Sequence, residues 1–306
     1  MTGNIEVLNL ANPAAVCEDL PDFPISTDET LAGISSNSLV VCGGNELGSR
    51  CFSLGNDKPR MWAESYKMST DRVSAASVQL GDSMMVIGGV PGTNRGNTST
   101  PEVLTADGWK NMPTMPLKSV WWHCAVNINQ SRILIIGGVP NVSLFYNIKT
   151  QLWYEGPKLK RSKWKAACGW DSGTNSVILA DDNSVEILNL NDVPPQWKPG
   201  PDLPVPISNS AMITDPTDGS LVVIGGRNSE NNKAMNTLMK LKRIYTNRGD
   251  NYVWEIMDQE LKIARSKHFA ILVPDNIVSC NGCTSNRSIN ISMQIITIFL
   301  FLLWIF

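Results

Sequence analysis

The chain has little of the chemistry that most enzymes use. Its 306 residues include only two histidines, His123 and His268, and both stand in apolar stretches next to alanine or aromatic residues, so we interpret them as core residues. Cys280-x-x-Cys283 has no second cysteine pair at zinc-binding spacing. No phosphate-binding glycine loop or nucleophile elbow is present. The sequence therefore predicts a non-enzymatic protein with no catalytic residue, no cofactor and no metal.

The chain also lacks an excess of positive charge. It has 26 Lys and Arg against 28 Asp and Glu, a net charge of −2, and only 18% of its residues are charged. Proteins that bind nucleic acid carry a basic stripe or patch that gives the domain a high isoelectric point. We therefore expect no nucleic-acid partner.

What the sequence does contain is a short apolar run that ends in two glycines and recurs. The first glycines fall at positions 43, 88, 137 and 225, so the first two intervals are 45 and 49 residues and the third, 88, is nearly twice as long. A degenerate copy fills that gap, where VILADD ends in Asp181 and Asp182 instead of glycines. The complete pairs are Gly43 and Gly44, Gly88 and Gly89, Gly137 and Gly138, and Gly225 and Gly226.

A tryptophan follows each of these five sites, and the repeat length indicates a β-propeller. Propeller blades of four strands repeat every roughly 40 to 50 residues. Paired glycines suit a crowded turn because they accept a positive φ, and a tryptophan fills the space between adjacent sheets. We place these tryptophans on the fourth strand of each unit: Trp62, Trp109, Trp153, Trp197 and Trp254.

These motifs resemble the kelch-repeat family of β-propellers, and the resemblance covers nearly all of residues 1–280. Segments such as CEDLPDFP, VVCGG, MSTDRVSAASV and GPDLPVP are similar to secreted kelch proteins of arthropods. The tyrosine that the family usually carries between the glycines and the later aromatic occurs only at Tyr146; Phe52, Leu104 and Ile187 stand in its neighbourhood elsewhere. The resemblance thus implies an all-β kelch propeller of a divergent branch.

The ends of the chain predict a sixth, shared blade. Residues 265–280 read as the first two strands of a unit, while residues 4–20 read as a third and a fourth strand. A blade built from both termini would close the propeller and remove its open sheet edges. We therefore predict a six-bladed propeller over residues 1–280, with residues 281–294 as a polar spacer.

Residues 295–306 form a hydrophobic tail in which only Thr297 is polar. Twelve residues are short for a spanning helix, which needs about 20. A small site at 281–283, a spacer and an apolar tail match a lipid-anchor signal. A lipid anchor, a marginal membrane span and a misplaced gene end remain as alternatives. No signal peptide precedes the first strand, and we favour a true start upstream of Met1.

Seven cysteines bear on the compartment. Cys42 and Cys51 stand close enough in one hairpin for a bridge, and Cys17 with Cys280 would join the two termini. We interpret Cys124 and Cys168 as small buried hydrophobic residues. Bridges of this kind favour an oxidising, extracellular or membrane-associated location over the cytoplasmic alternative. Four N-glycosylation acceptor sites are expected to be used only on the secretory route: Asn97, Asn141, Asn286 and Asn290.

A binding role remains as the predicted function. We expect a protein-interaction scaffold that contacts an unidentified protein through its loops, with residues 90–100, 227–236 and 246–251 as the first candidates. The alternatives are an intracellular kelch adaptor of the actin-binding or ubiquitin-ligase type and a kelch-type copper oxidase, which lacks the necessary His and Tyr cluster. We interpret Asp181 and Asp182 as turn-capping residues rather than cation ligands, and Trp121 and Trp122 as packing residues.

Overall fold

The protein is an all-β propeller. The structure, a computed structural model, describes residues 3–92, 98–246, 249–274, 276–280 and 293–299, and these contain strands, turns and no helix. Five antiparallel four-stranded sheets follow one another along the sequence; four consist of consecutive strands, and in the fifth a short strand of another sheet intervenes between the second and third strands. The chain divides into two compact units, residues 1–119 with 268–306 and residues 120–267.

The first unit contains two four-stranded blades and a three-stranded sheet. In the three-stranded sheet, the strand Met293–Phe299 lies between the strands Asn4–Leu8 and Phe269–Pro274. The strands of the blades are β2 (Leu31–Ser35), β3 (Ser38–Cys42), β4 (Cys51–Leu54), β5 (Trp62–Glu64), β6 (Ala76–Leu80), β7 (Ser83–Ile87), β8 (Glu102–Thr105) and β9 (Gly108–Asn111). Those of the three-stranded sheet are β1 (Asn4–Leu8), β24 (Phe269–Pro274) and β25 (Met293–Phe299).

The second unit contains three four-stranded blades and a two-stranded ribbon in which Ile207–Ser208 pairs with Arg227–Asn228. Its strands are β10 (Trp121–Ile128), β11 (Arg132–Val139), β12 (Val142–Asn147), β13 (Leu152–Glu155), β14 (Ala167–Asp171), β15 (Ser176–Asp181), β16 (Ser184–Asn189), β17 (Trp197–Pro199), β18 (Ile207–Ser208), β19 (Ala211–Thr214), β20 (Leu221–Ile224), β21 (Arg227–Asn228), β22 (Met235–Thr246) and β23 (Gly249–Arg265).

The apolar runs of the repeat are the second strands of the blades. In β7, β11, β15 and β20 the consecutive apolar residues are all buried, because both faces of each strand are covered by neighbouring layers. Separate clusters of buried side chains lie on either side of these strands, and in the second unit one cluster is centred on Trp197 and another on Met239.

The prediction of six blades is wrong, because five four-stranded blades are present and the sheet at the termini has three strands. Of the stretch 4–20, only β1 is a strand, and the expected fourth strand at 15–20 is reduced to a single bridge between Cys17 and Cys280. Pro13 lies just before this stretch and Pro21 just after it, and proline has no N–H to donate to a strand ladder.

The second strand of this sheet also differs from the prediction. The chain turns after β24, where the N–H groups of Ile277 and Val278 donate to the carbonyl of Pro274, so residues 277–280 do not run back along β24. Instead β25 pairs with both β24 and β1. Residues 295–299 of the predicted tail therefore belong to a sheet, consistent with their β-branched composition; residues 281–292 and 300–306 lie outside the described residues.

A buried ion pair fixes the second blade of the first unit. Arg72 and Glu102 are both 1% exposed, and an Nη2 of Arg72 lies 2.9 Å from Glu102 Oε1. The guanidinium also donates to the carbonyls of Gly88 and Thr100, at 2.8 and 2.5 Å. Glu102 Oε2 accepts the N–H of Ser69 at 2.7 Å. This pair thus joins the loop before β6, the glycine turn after β7 and the start of β8.

Candidate functional site

All eight glycines of the four Gly-Gly pairs have the positive φ expected at a crowded turn, with values between 53° and 108°. Space is also tight there: a Cβ on Gly138 would lie 2.6 Å from the carbonyl oxygen of Trp121, and one on Gly44 would lie 2.5 Å from that of Asp28. In the degenerate copy Asp182 holds a φ of 51° with a side chain. The turns are therefore fixed backbone elements that position the loops around them.

The five repeat tryptophans lie on the fourth strands, and four of them share one contact. Each of these four donates its indole N–H to a carbonyl in the linker about 40 to 53 residues earlier in the chain, at 2.8 to 3.0 Å. Trp153 packs on Tyr146, with ring centroids 4.7 Å apart. The pairs of indole and carbonyl are Trp62 with Pro21, Trp109 with Tyr66, Trp197 with Pro157 and Trp254 with Pro201.

Six of the seven cysteines form three disulfides. The pairs Cys17–Cys280 and Cys42–Cys51 confirm the prediction. The interpretation of Cys124 and Cys168 as free buried residues is wrong, because they form a third disulfide between the first strands of adjacent blades. These two positions are one repeat apart and therefore face each other across neighbouring sheets. The three bridges indicate an oxidising environment.

The remaining sequence candidates are distributed over the fold. His123 and His268 are buried, 7% and 9% exposed. The described part of the chain contains no group of three or more His, Cys, Asp or Glu residues that could hold a metal ion, and no helix in it is long and apolar enough to cross a membrane. Asn141 is exposed in the turn between β11 and β12. The other acceptor sites, Asn97, Asn286 and Asn290, lie outside the described residues, as does Cys283.

Two of the three candidate loops are only partly described, because residues 93–97 and 247–248 fall outside the structure. The third, the 227–236 loop, is held rigidly by its own polar groups. Asn228 Oδ1 accepts the N–H groups of Glu230 and Asn231, at 2.9 and 3.1 Å. Arg227 Nη1 donates to Asn232 Oδ1 at 2.8 Å. Residues 229–234 are all exposed, so the loop presents a polar surface of fixed shape.

This loop is anchored to the degenerate turn after β15. Ser229 Oγ donates to Asp182 Oδ1 at 2.5 Å, and the N–H of Ile207 in β18 donates to the carbonyl of Asp182 at 3.0 Å. Asp181 accepts a hydrogen bond from the N–H of Asp182. Burial, and then the charge of Asp182, raise the pKa of Asp181 to about 6. The acid pair therefore serves a turn and a loop contact in this structure.

A row of four residues with positive φ lies beside the same ribbon, and we call it the backbone row. In Trp122, Lys165, Asn209 and Lys267 φ lies between 53° and 62°. The N–H of each later residue donates to the carbonyl of the one before it, at 2.8, 3.1 and 2.9 Å. Lys165, Asn209 and Lys267 each lie two residues before the first residue of a strand (β14, β19 and β24), whereas Trp122 is the second residue of β10. Trp121 and Trp122 are both partly buried.

Trp122 and Lys165 of this row form an aromatic and cationic cluster with Trp164. The two indole rings lie 5.6 Å apart, tilted by 39°, and Lys165 Nζ lies 4.3 Å from the Trp122 ring and 5.7 Å from the Trp164 ring. Trp164 is 51% exposed. An ammonium group over an indole face is an attractive arrangement. The cluster is therefore an exposed aromatic surface held by the backbone.

A polar cavity of about 340 Å³ lies at the opposite end of β14. Asp171 is its hub: Tyr252 and Thr174 donate their hydroxyls to Oδ2 at 2.7 and 2.8 Å, and Arg243 Nη1 lies 3.5 Å from Oδ1. Burial above all, and the hydrogen bond to Asp171, raise the pKa of Tyr252 to about 12. The N–H of Gly173 also reaches Oδ1. The carboxylate is thus largely committed to holding the β14–β15 turn.

Sequence reasoning missed Trp164, Lys165, Asp171 and Tyr252. One signal was present for the first two, because residues 158–165 read KLKRSKWK and concentrate five basic residues around a tryptophan. The local sequence carries no comparable signal for Asp171 and Tyr252, which are 81 residues apart, belong to different sheets and meet only where two blades pack together.

Comparison with known proteins supports the fold alone. No family model and no curated protein sequence matches the chain. Among solved structures, it is similar to the one titled "Structure of YjhT", at 14% sequence identity and a TM-score of 0.63, with 82% of this chain and 89% of that chain covered. At this identity, the comparison establishes that the chain shares its all-β propeller architecture with a known structure.

Proposed function

We propose that the protein is a kelch-type propeller that acts outside the cell as a non-enzymatic binding module, and that it contacts a protein partner through the 227–236 loop. The observation that carries this proposal is the rigidity of an exposed polar loop. Its hydrogen bonds within 227–232 and its tether from Ser229 to Asp182 fix the loop before any partner arrives. A preordered loop loses less conformational freedom on binding, and this increases affinity.

The composition of the loop fits a recognition surface. Residues 227–236 read RNSENNKAMN, in which asparagine and serine supply hydrogen-bond donors and acceptors and Arg, Glu and Lys supply charge. Serine and asparagine have the same adaptable role in antibody loops. The three disulfides support an extracellular location over the intracellular adaptor, because such bridges are rare in the cytosol.

The test is site-specific photo-crosslinking with the full, disulfide-bonded chain. A benzophenone amino acid replaces Glu230 in one sample and Val193, which is 97% exposed, in a matched control. We expect one crosslinked protein from cell surfaces or matrix at position 230, competed by unlabelled chain, and none at 193.

The captured protein is then purified and its affinity measured directly. Ser229→Ala, which removes the tether to Asp182, should weaken binding roughly tenfold through the loss of loop order. Val193→Ala should leave the affinity unchanged. Equal capture at both positions, or an affinity that Ser229→Ala does not alter, would refute the proposal.

A further inference from the structure

The linker between β13 and β14 is the most basic stretch of the second unit. Residues 156–170 contain five basic side chains and no acidic one, in a chain whose net charge is −2. All five fall within residues 158–165, which we call the basic segment. A run of this density in a chain of balanced charge defines a local positive patch.

Three of these charges point to solvent. Lys158, Lys160 and Arg161 are exposed, and within the part of the chain that the structure describes none of them makes an ion pair. Lys163 differs, because it is 4% exposed and its ammonium donates to Ser184 Oγ. Lys165 lies over the Trp122 ring. The segment therefore presents an outer set of three cations and an inner pair that hold it in place.

The backbone of the basic segment is tied down along its length. The N–H of Lys160 donates to Glu186 Oε2 at 3.4 Å, and the carbonyl of Lys163 accepts the N–H of Gly138 at 2.6 Å. The N–H of Lys165 donates to the carbonyl of Trp122 at 2.8 Å. Three exposed charges are thus carried by a fixed strip rather than by a flexible loop, which lowers the ordering cost of binding.

The exposed face of Trp164 adjoins this strip. A large indole that is half exposed beside three cations offers flat apolar contact and positive charge together. Pyranose rings present such flat apolar faces, and sulfate and carboxylate groups supply the opposite charge. Runs of five to eight residues rich in Lys and Arg occur in heparin-binding patches.

We propose that the basic segment, together with Trp164, binds an anionic polysaccharide of the sulfated type. The positive charge of the segment favours an anionic ligand, and the exposed indole favours one that contains rings. The three disulfides indicate an oxidising environment, which supports the extracellular location that a sulfated glycan partner requires. This proposal concerns a different surface and a different class of partner from the 227–236 loop, so either can fail without the other.

The experiment measures binding of a defined heparin oligosaccharide to the full, oxidised chain by calorimetry at several salt concentrations. The triple variant Lys158→Gln, Lys160→Gln and Arg161→Gln should bind roughly tenfold more weakly or worse, with a smaller salt dependence, because fewer counterions are released. The control variant Lys149→Gln, Lys198→Gln and Lys262→Gln removes the same charge elsewhere in the second unit. It should retain the affinity of the natural chain.

Two further measurements test the contribution of the indole ring and distinguish a sulfated polysaccharide from other anionic ligands. Trp164→Ala should weaken binding at every salt concentration while leaving the salt slope unchanged, because it removes ring contact and no charge. Vesicles with anionic lipid and desulfated heparin serve as alternative ligands and should not bind. No binding of heparin, equal losses in the two triple variants, or binding of vesicles in preference to heparin would overturn the proposal.

Discussion

The three disulfides close loops of very different length, and this predicts how much each one stabilises the fold. The paired cysteines are 263, 44 and 9 residues apart in Cys17–Cys280, Cys124–Cys168 and Cys42–Cys51. The loop-closure relation assigns these bridges about 5.6, about 4.0 and about 2.6 kcal/mol at 25 °C. Replacing Cys17 and Cys280 by alanine should therefore lower the free energy of unfolding by about 3 kcal/mol more than replacing Cys42 and Cys51.

The assay is urea denaturation of the three double-alanine variants under oxidising conditions, with the midpoint and the slope fitted for each. Truncating a buried sulfur adds a cost of about 0.8 kcal/mol per methylene-sized group. This cost works against the predicted order, since Cys42 and Cys51 are both fully buried, but two such groups remain smaller than the gap. A loss below about 2 kcal/mol for the Cys17–Cys280 variant, or a larger loss for Cys42–Cys51, would refute the loop-closure reasoning.

Three further predictions concern single positions. Glu102→Gln leaves the buried guanidinium of Arg72 without its carboxylate and should cost about 3 to 5 kcal/mol in urea denaturation; a loss below about 1 kcal/mol would contradict a buried ion pair. Gly138→Ala should cost at least about 2 kcal/mol, because the new Cβ meets a carbonyl oxygen at a positive φ, whereas Gly81→Ala, also at positive φ but with open space around it, should cost about 1 kcal/mol. The pKa of Asp181 is about 6 in the fold against 3.8 for the ordinary group, so folding takes up a proton and the stability of the natural chain relative to Asp181→Asn should rise by about 3 kcal/mol as the pH falls from 7.5 to 3.5. Asp181→Asn should lack this rise, and an unchanged profile would contradict the assignment.

Much of the fold could be predicted because the repeat consists of residues that occur in few backbone conformations or environments. The glycine pairs need positive φ, the apolar runs need burial on both faces, and the repeat tryptophans need a partner for the indole N–H. The local conformation or environment of such a residue can be predicted from the sequence without knowing which distant segment it contacts. Cys42–Cys51 could be predicted for the same reason, since both cysteines stand in one hairpin.

The errors have a different physical origin, because they concern pairings between distant segments. β25 was not predicted as a strand, because its apolar residues suit a strand and a membrane tail equally well, and its pairing with β1 and β24 joins distant segments of the chain. Cys124 and Cys168 looked like buried hydrophobic residues, which many unpaired cysteines are. Their disulfide depends on the alignment of the first strands of two neighbouring sheets. The separation of 44 residues equals about one repeat and is consistent with this alignment, but it was not used to predict the bridge.

The backbone row explains how a repeat can keep its fold while its surface changes. Glu29 and Ser74 of the first unit also have a positive φ and, like Lys165, Asn209 and Lys267, lie two residues before the first residue of a strand. Within the second unit, main-chain hydrogen bonds join successive members of the row, and these bonds do not depend on which side chain is present. The position is therefore free to vary in charge and size, and Trp122, Lys165, Asn209 and Lys267 show that it does. The main chain therefore fixes the position of these residues, while the sequence determines which side chains they carry. For this reason the cluster of Trp122, Trp164 and Lys165 gives one blade a surface that its neighbours lack without disturbing the propeller.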